Sequence, residues 1–79
     1  MNAAQLLDMI RFYKLNLEHK LIRSVDTSTG EKFDIMTIVI RPVNHKAYGL
    51  LEEYRIPTED VREALEIFHE HVLAEKERS

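Results

Sequence analysis

Residues 33–40 read Phe-Asp-Ile-Met-Thr-Ile-Val-Ile, and both alternating faces of this run are apolar. Phe33, Ile35 and Val39 share one parity, with Thr37 between them. Met36, Ile38 and Ile40 share the other. A strand with one wet face alternates apolar and polar positions. This one does not, so both of its faces require cover. The chain's own helices can cover one face, and the other is expected to meet a second chain.

The rest of the pattern sets this strand among four further elements. Asn2 is a good N-cap, and Ala3, Leu6, Leu7, Ile10 and Tyr13 recur at helical spacing, which predicts a helix from residue 3 to about 14. Beyond it, Leu15, Leu17, His19, Leu21 and Val25 alternate with Asn16, Glu18, Lys20 and Ser24. Leu17 and Leu21 would also extend the helical stripe. The turn formers Asp26-Thr27-Ser28-Thr29-Gly30-Glu31 favour a hairpin, so a strand is predicted near 16–26, with a longer first helix as the alternative. The central strand runs from about Lys32 to Arg41, where Pro42 ends its ladder. A turn at 43–46 leads to a third strand over about 47–55. A short helix is the competitor there, because Leu-Leu-Glu-Glu is helix-compatible, but Gly49, Tyr48 and Tyr54 weigh against it. Thr58 caps a last helix carrying Val61, Leu65, Phe68 and Val72 on one stripe. The fold class is α+β, in the order α-β-β-β-α. A three-stranded antiparallel meander with two helices packed on one face satisfies the short connections.

Length sharpens the need for a partner. The chain has 79 residues and no cysteine, so residues 1–79 form a single small domain with no disulfide or thiolate metal site. A domain of this size buries only a little over ~60% of its unfolded surface. Oligomerisation is the remaining common remedy, and a homodimer through the open sheet face or an edge strand is expected. The expected interface residues are Met36, Ile38, Ile40, Tyr48 and Tyr54. The first eight residues lack the features of a signal peptide, and no apolar run approaches the ~20 residues that span a bilayer. A cytoplasmic protein without membrane contact is expected.

Charge argues about a second kind of partner. Residues 1–55 carry eight Lys/Arg against seven Asp/Glu, while residues 56–79 carry three against seven. The acid therefore sits in the last helix, which disfavours that element as a phosphate-binding surface. In the sheet region, Lys20, Arg23, Arg41 and Arg55 intermix with Phe33, Tyr48 and Tyr54. Such a face can stack and neutralise single-stranded nucleic acid, which makes nucleic-acid binding the alternative function. The element order is shared with double-stranded RNA-binding domains. That family presents basic residues at the start of its second helix, whereas this chain reads Thr58-Glu59-Asp60-Val61 there. Two carboxylates at a helix N-terminus repel phosphate, so the likeness is one of element order only.

Candidate chemistry is sparse. His69 and His71 on the last helix stand about 200° apart and cannot share a metal, for which a helical pair needs spacing of four. Glu66 lies at usable spacing from His69 and Glu70, but such spacing commonly makes ion pairs. His19 and His45 have no nucleophile placed beside them by any motif. Gly30 and Gly49 are too far apart for a phosphate loop. No catalytic, metal or cofactor residue is assigned. The expected function is a small, non-catalytic adaptor or regulatory module for another protein, self-associating through its sheet.

Overall fold

Reciprocal capping starts the first helix. In the computed structural model, which describes residues 1–78, the Asn2 side chain accepts from the Gln5 amide, and the Gln5 side chain accepts from the Asn2 amide, both at 2.9 Å. Helix α1 then runs Ala3–Tyr13 and buries Leu6, Met9 and Tyr13. It stops at Lys14, which takes the left-handed conformation (φ 52°) and returns its N–H to the Ile10 carbonyl. The chain reverses there into strand β1, Leu15–Val25.

A six-residue turn joins β1 to strand β2, Lys32–Pro42. The Asp26 carboxylate accepts from both the amide and the hydroxyl of Ser28, and Gly30 supplies the positive φ of 74°. The two strands pair antiparallel along their whole length, from Leu15 opposite Pro42 to Val25 opposite Lys32. The Lys14 and Tyr13 carbonyls accept from Val43 and Asn44, which ties the end of α1 to the end of β2.

The third strand is shorter than expected over 47–55. Residues 45–48 form a single helical turn, α2, closed by Gly49 at φ 66°. Strand β3 is only Tyr54–Ile56, paired with residues 38–40 of β2. Local chemistry gives the reason. The amide of Leu50 bonds back to the His45 carbonyl at 2.8 Å, and the Leu51 amide donates to the Tyr54 hydroxyl at 3.0 Å. Those bonds fold residues 45–51 into a compact loop that buries Leu50 and leaves no extended backbone for a ladder.

The last helix, α3, spans Val61–Arg78. Its cap falls at Asp60, two residues beyond the expected Thr58. The Asp60 carbonyl accepts from Ala64, and its carboxylate accepts from the Arg62 amide. Thr58 instead accepts from the Asp60 amide and shapes the approach. Ala64, Leu65, Phe68 and Val72 are buried, as the stripe requires.

The sheet order is β1-β2-β3, all antiparallel, and both long helices lie on one face. One core unites Leu6, Met9 and Tyr13 with Ile38, Ile40, Tyr54, Ile56, Leu65, Phe68 and Val72. The arrangement is α+β, in the expected order apart from the extra helical turn. Its radius of gyration is 14.2 Å, against ~11–12 Å for a compact chain of this length, and its extents are 41 × 28 × 20 Å. The excess length comes from the hairpin.

Candidate functional site: the hairpin arm and its charged roof

Strand β3 reaches only residues 38–40 of β2, so the hairpin beyond that point is a ribbon of two strands. Lys20–Val25 pairs there with Lys32–Thr37. An isolated two-stranded hairpin is marginal in water. This one is also apolar on both faces. On the helix side, Leu21 stands opposite Met36. On the other side, Ile22 stands opposite Ile35, and Phe33 stands opposite Ser24. Leu21 is 65% exposed, Val25 52% and Phe33 46%. Ile22, Ile35 and Met36 are half-buried. Polar contacts along the arm include the Arg23–Asp34 pair at 3.5 Å, the Thr37 hydroxyl donating to the Ile35 carbonyl at 3.3 Å, and the turn.

Nearer the body, the sheet face opposite the helices is closed in a different way. Val39 is fully buried and Thr37 nearly so, yet Val39 stands outside the helix-covered core. Its cross-strand neighbours are Glu18 and Arg55, which point to the same face. Arg41 Nη1 meets Glu18 at 2.7 Å, Arg41 Nη2 meets Glu53 at 2.9 Å, and Arg55 Nε meets Glu53 at 2.8 Å. Lys20 Nζ lies 3.8 Å from Glu18. These long side chains share the face of Val39, and aliphatic stems so placed can cover an apolar residue while their heads pair in water. The second face of the central strand is thus covered in its middle by the chain itself. It lacks cover only along the arm.

The structure does not bring the five expected interface residues together on one surface. Ile38, Ile40 and Tyr54 belong to the helix-side parity and are core residues, so they cannot line an open face. Tyr54 donates its hydroxyl to the Glu75 carboxylate at 3.1 Å, and burial raises its pKa above the ordinary phenol value. Tyr48 lies on α2, stacked 4.8 Å from Phe12 and away from the arm. Of the five residues, only Met36 is on the arm. The sequence pattern places Leu21 and Val25 on a strand but does not mark them, or Ile22, as lying on an uncovered arm. The signal was in the lengths. An 11-residue helix spans about 16 Å, whereas an 11-residue strand spans about 36 Å. The first helix is too short to cover the strand that follows it.

The four cations considered for nucleic acid are each in an ion pair. Lys20 faces Glu18, Arg23 faces Asp34, Arg41 bridges Glu18 and Glu53, and Arg55 holds Glu53. Each cation is thus partly neutralised by a neighbouring carboxylate. Tyr54 is in the core, and Phe33 stands at the far end of the arm, so no row of aromatics flanks these cations.

The roof makes stability depend on pH. The hydrogen bond from Arg41 holds Glu18 below its ordinary carboxylate value of 4.5, and bonds from Arg55 and then Arg41 do the same for Glu53. The Ser28 hydroxyl and amide likewise lower Asp26. A group with a depressed folded-state pKa binds fewer protons folded than unfolded, so its contribution is full above the ordinary value. It is lost as pH falls through the depressed one. Urea midpoints should therefore hold from neutral pH to about 4.5 and decline below it. Glu53→Gln should flatten part of the decline. A midpoint unchanged through the acid range would show that these pairs do not support the fold.

Among the described residues, no group of three or more His, Cys, Asp or Glu side chains could hold a metal ion. His69 is half-buried and His71 exposed, with the His71 ring 6.0 Å from Tyr54. Glu66 pairs instead with Arg62 and the N-terminal ammonium. A groove of about 330 Å³ between α1 and α3 is bordered by Gln5, Asp8, Phe12 and His69. Among the described residues no helix is long and apolar enough to cross a membrane. No family model, curated protein or solved structure matches the chain.

Proposed function

We propose that this chain is a non-catalytic protein-interaction module, adaptor or regulatory in kind, which self-associates through its β1–β2 arm. The observation that carries the reading is the arm itself, a two-stranded ribbon apolar on both faces that extends past the reach of the helices. Contiguous apolar surface of this kind marks a contact site in a folded protein. Small size and the lack of cysteine add to the same reading, since a second subunit supplies the burial that a short chain lacks.

The test is sedimentation equilibrium of wild type beside Leu21→Glu. Leu21 is largely exposed, so the variant should keep the wild-type circular dichroism spectrum. Wild type should sediment as a dimer at high micromolar concentration, and the variant as a monomer. A monomeric wild type under those conditions would overturn self-association.

A further inference from the structure

We infer that two copies of this chain join edge to edge through β1, antiparallel about a two-fold axis at His19, with Glu18 of each copy opposite Lys20 of the other. The inference rests on the proposed self-association and specifies its register.

The two edges of the sheet differ in length and regularity, although β1 also carries charge at Glu18, Lys20 and Arg23. The β3 edge is three residues long, preceded by Glu52 and Glu53 and followed by Pro57. Short strands, charges and proline are the usual means of blocking unwanted pairing. The free part of the β2 edge carries Lys32 and Asp34. By contrast, β1 is outermost in the sheet and runs 11 residues in unbroken register, without proline, glycine or bulge. Among the described residues, no backbone hydrogen bond from a helix, a turn or β3 reaches residues 15–25. A row of unpaired N–H and C=O groups of that length is a template for another strand.

The side chains of β1 identify the second strand as β1 of another copy. In an antiparallel pair, residues directly opposite point to the same face. A two-fold axis normal to the sheet at His19 sets Glu18 against Lys20 twice on the face away from the helices. It sets Leu17 against Leu21 twice on the helix side, and His19 meets its own copy on the axis. Opposite charges and apolar pairs directly across a ladder are stabilising, and like charges are destabilising. The same axis sets Leu15 against Arg23 and Asn16 against Ile22, so the match lies in the four central pairs, and neighbouring registers lose the charge match among them. An axis at Lys20 sets Lys20 against itself and Leu17 against Arg23. An axis at Glu18 sets Glu18 against itself. An axis at Leu21 keeps apolar pairs, Leu17 against Val25 and Leu21 against itself, but sets His19 against Arg23 and leaves Glu18 and Lys20 without an opposite charge across the ladder. The folded chain already holds Glu18 and Lys20 on one face, 3.8 Å apart, so both are in place for the exchange. Leu17, 37% exposed, and Leu21 gain their cover in the same step.

Charge reversal tests the register. Glu18→Lys alone would set two lysines opposite each other at both contacts, and Lys20→Glu alone would set two glutamates. Each variant should raise the dimer dissociation constant at least about tenfold. An equimolar mixture of the two should restore wild-type dimerisation, because each chain then supplies what the other lacks. Native mass spectrometry should find one chain of each kind in that dimer.

Glu18 also holds Arg41, so melting curves must accompany these variants. If either fails to fold, Leu17→Glu and Leu21→Lys provide the same exchange on the exposed helix side, away from the charged roof. A single variant that dimerises as tightly as wild type, or a mixture that gains nothing, would overturn this register while leaving self-association intact. A wild type that is monomeric at high micromolar concentration would defeat both.

Discussion

Phe68→Ala is expected to lower the free energy of unfolding by about 3–5 kcal/mol. A chain of this length has roughly 4–12 kcal/mol in total, so the variant loses a large share of its stability and its urea midpoint should fall steeply. The cost follows from position. Phe68 is fully buried and lies where α1, α3 and β3 meet. Its ring takes the Tyr54 ring edge to face at 5.0 Å and the Tyr13 ring at 5.9 Å. Truncation removes both aromatic contacts and leaves a cavity that three elements would have to close together. Urea denaturation followed by circular dichroism gives the value. Because self-association would add to apparent stability, wild type and variant must be compared at one concentration. A midpoint close to wild type would show that α3 does not dock on the sheet through this ring.

That prediction was legible in the sequence, because the last helix carries every signal a helix can carry. Pro57 breaks the preceding element, Glu59 and Asp60 stand just ahead of the helix with Glu63 in its first turn, and Leu65, Phe68 and Val72 recur at helical spacing. The cap nonetheless moved from Thr58 to Asp60, since both side chains can accept from a backbone amide and only the tertiary path selects between them. The hairpin was legible for a similar reason, its turn being dense in residues that favour reversal. Residues 45–51 were not. Their strand and helix signals were nearly balanced, and bonds from Leu50 to His45 and from Leu51 to Tyr54 decided the matter. Tyr54 is only three residues from Leu51, but a side-chain hydroxyl that accepts from a backbone amide leaves no periodic signal in the sequence. The charged roof was hidden too. Glu18, Arg41 and Glu53 come from three separate segments, and only the register brings them over Val39.

Which parity of the central strand meets the helices was undetermined by pattern, and Lys substitutions at Ile38 and Val39 separate the two faces. Both residues are fully buried, so burial alone predicts the same outcome for each. Their surroundings differ. Ile38 lies in the core under the helices, where a lysine ammonium finds no partner and no route to water. An unpaired buried charge belongs with the rare substitutions that cost more than ~4–5 kcal/mol, so Ile38→Lys should not fold. Val39 lies under the roof. A lysine stem there can run outward beneath Arg41 and bring its ammonium between Glu18 and Glu53. The larger side chain crowds the site and competes with Arg41, at a cost of about 1–3 kcal/mol. Val39→Lys should therefore fold with a lowered urea midpoint and a dispersed amide NMR spectrum. A folded Ile38→Lys would reverse the assignment of faces. Complete unfolding of both would show that the roof over Val39 is as closed to a cation as the core is.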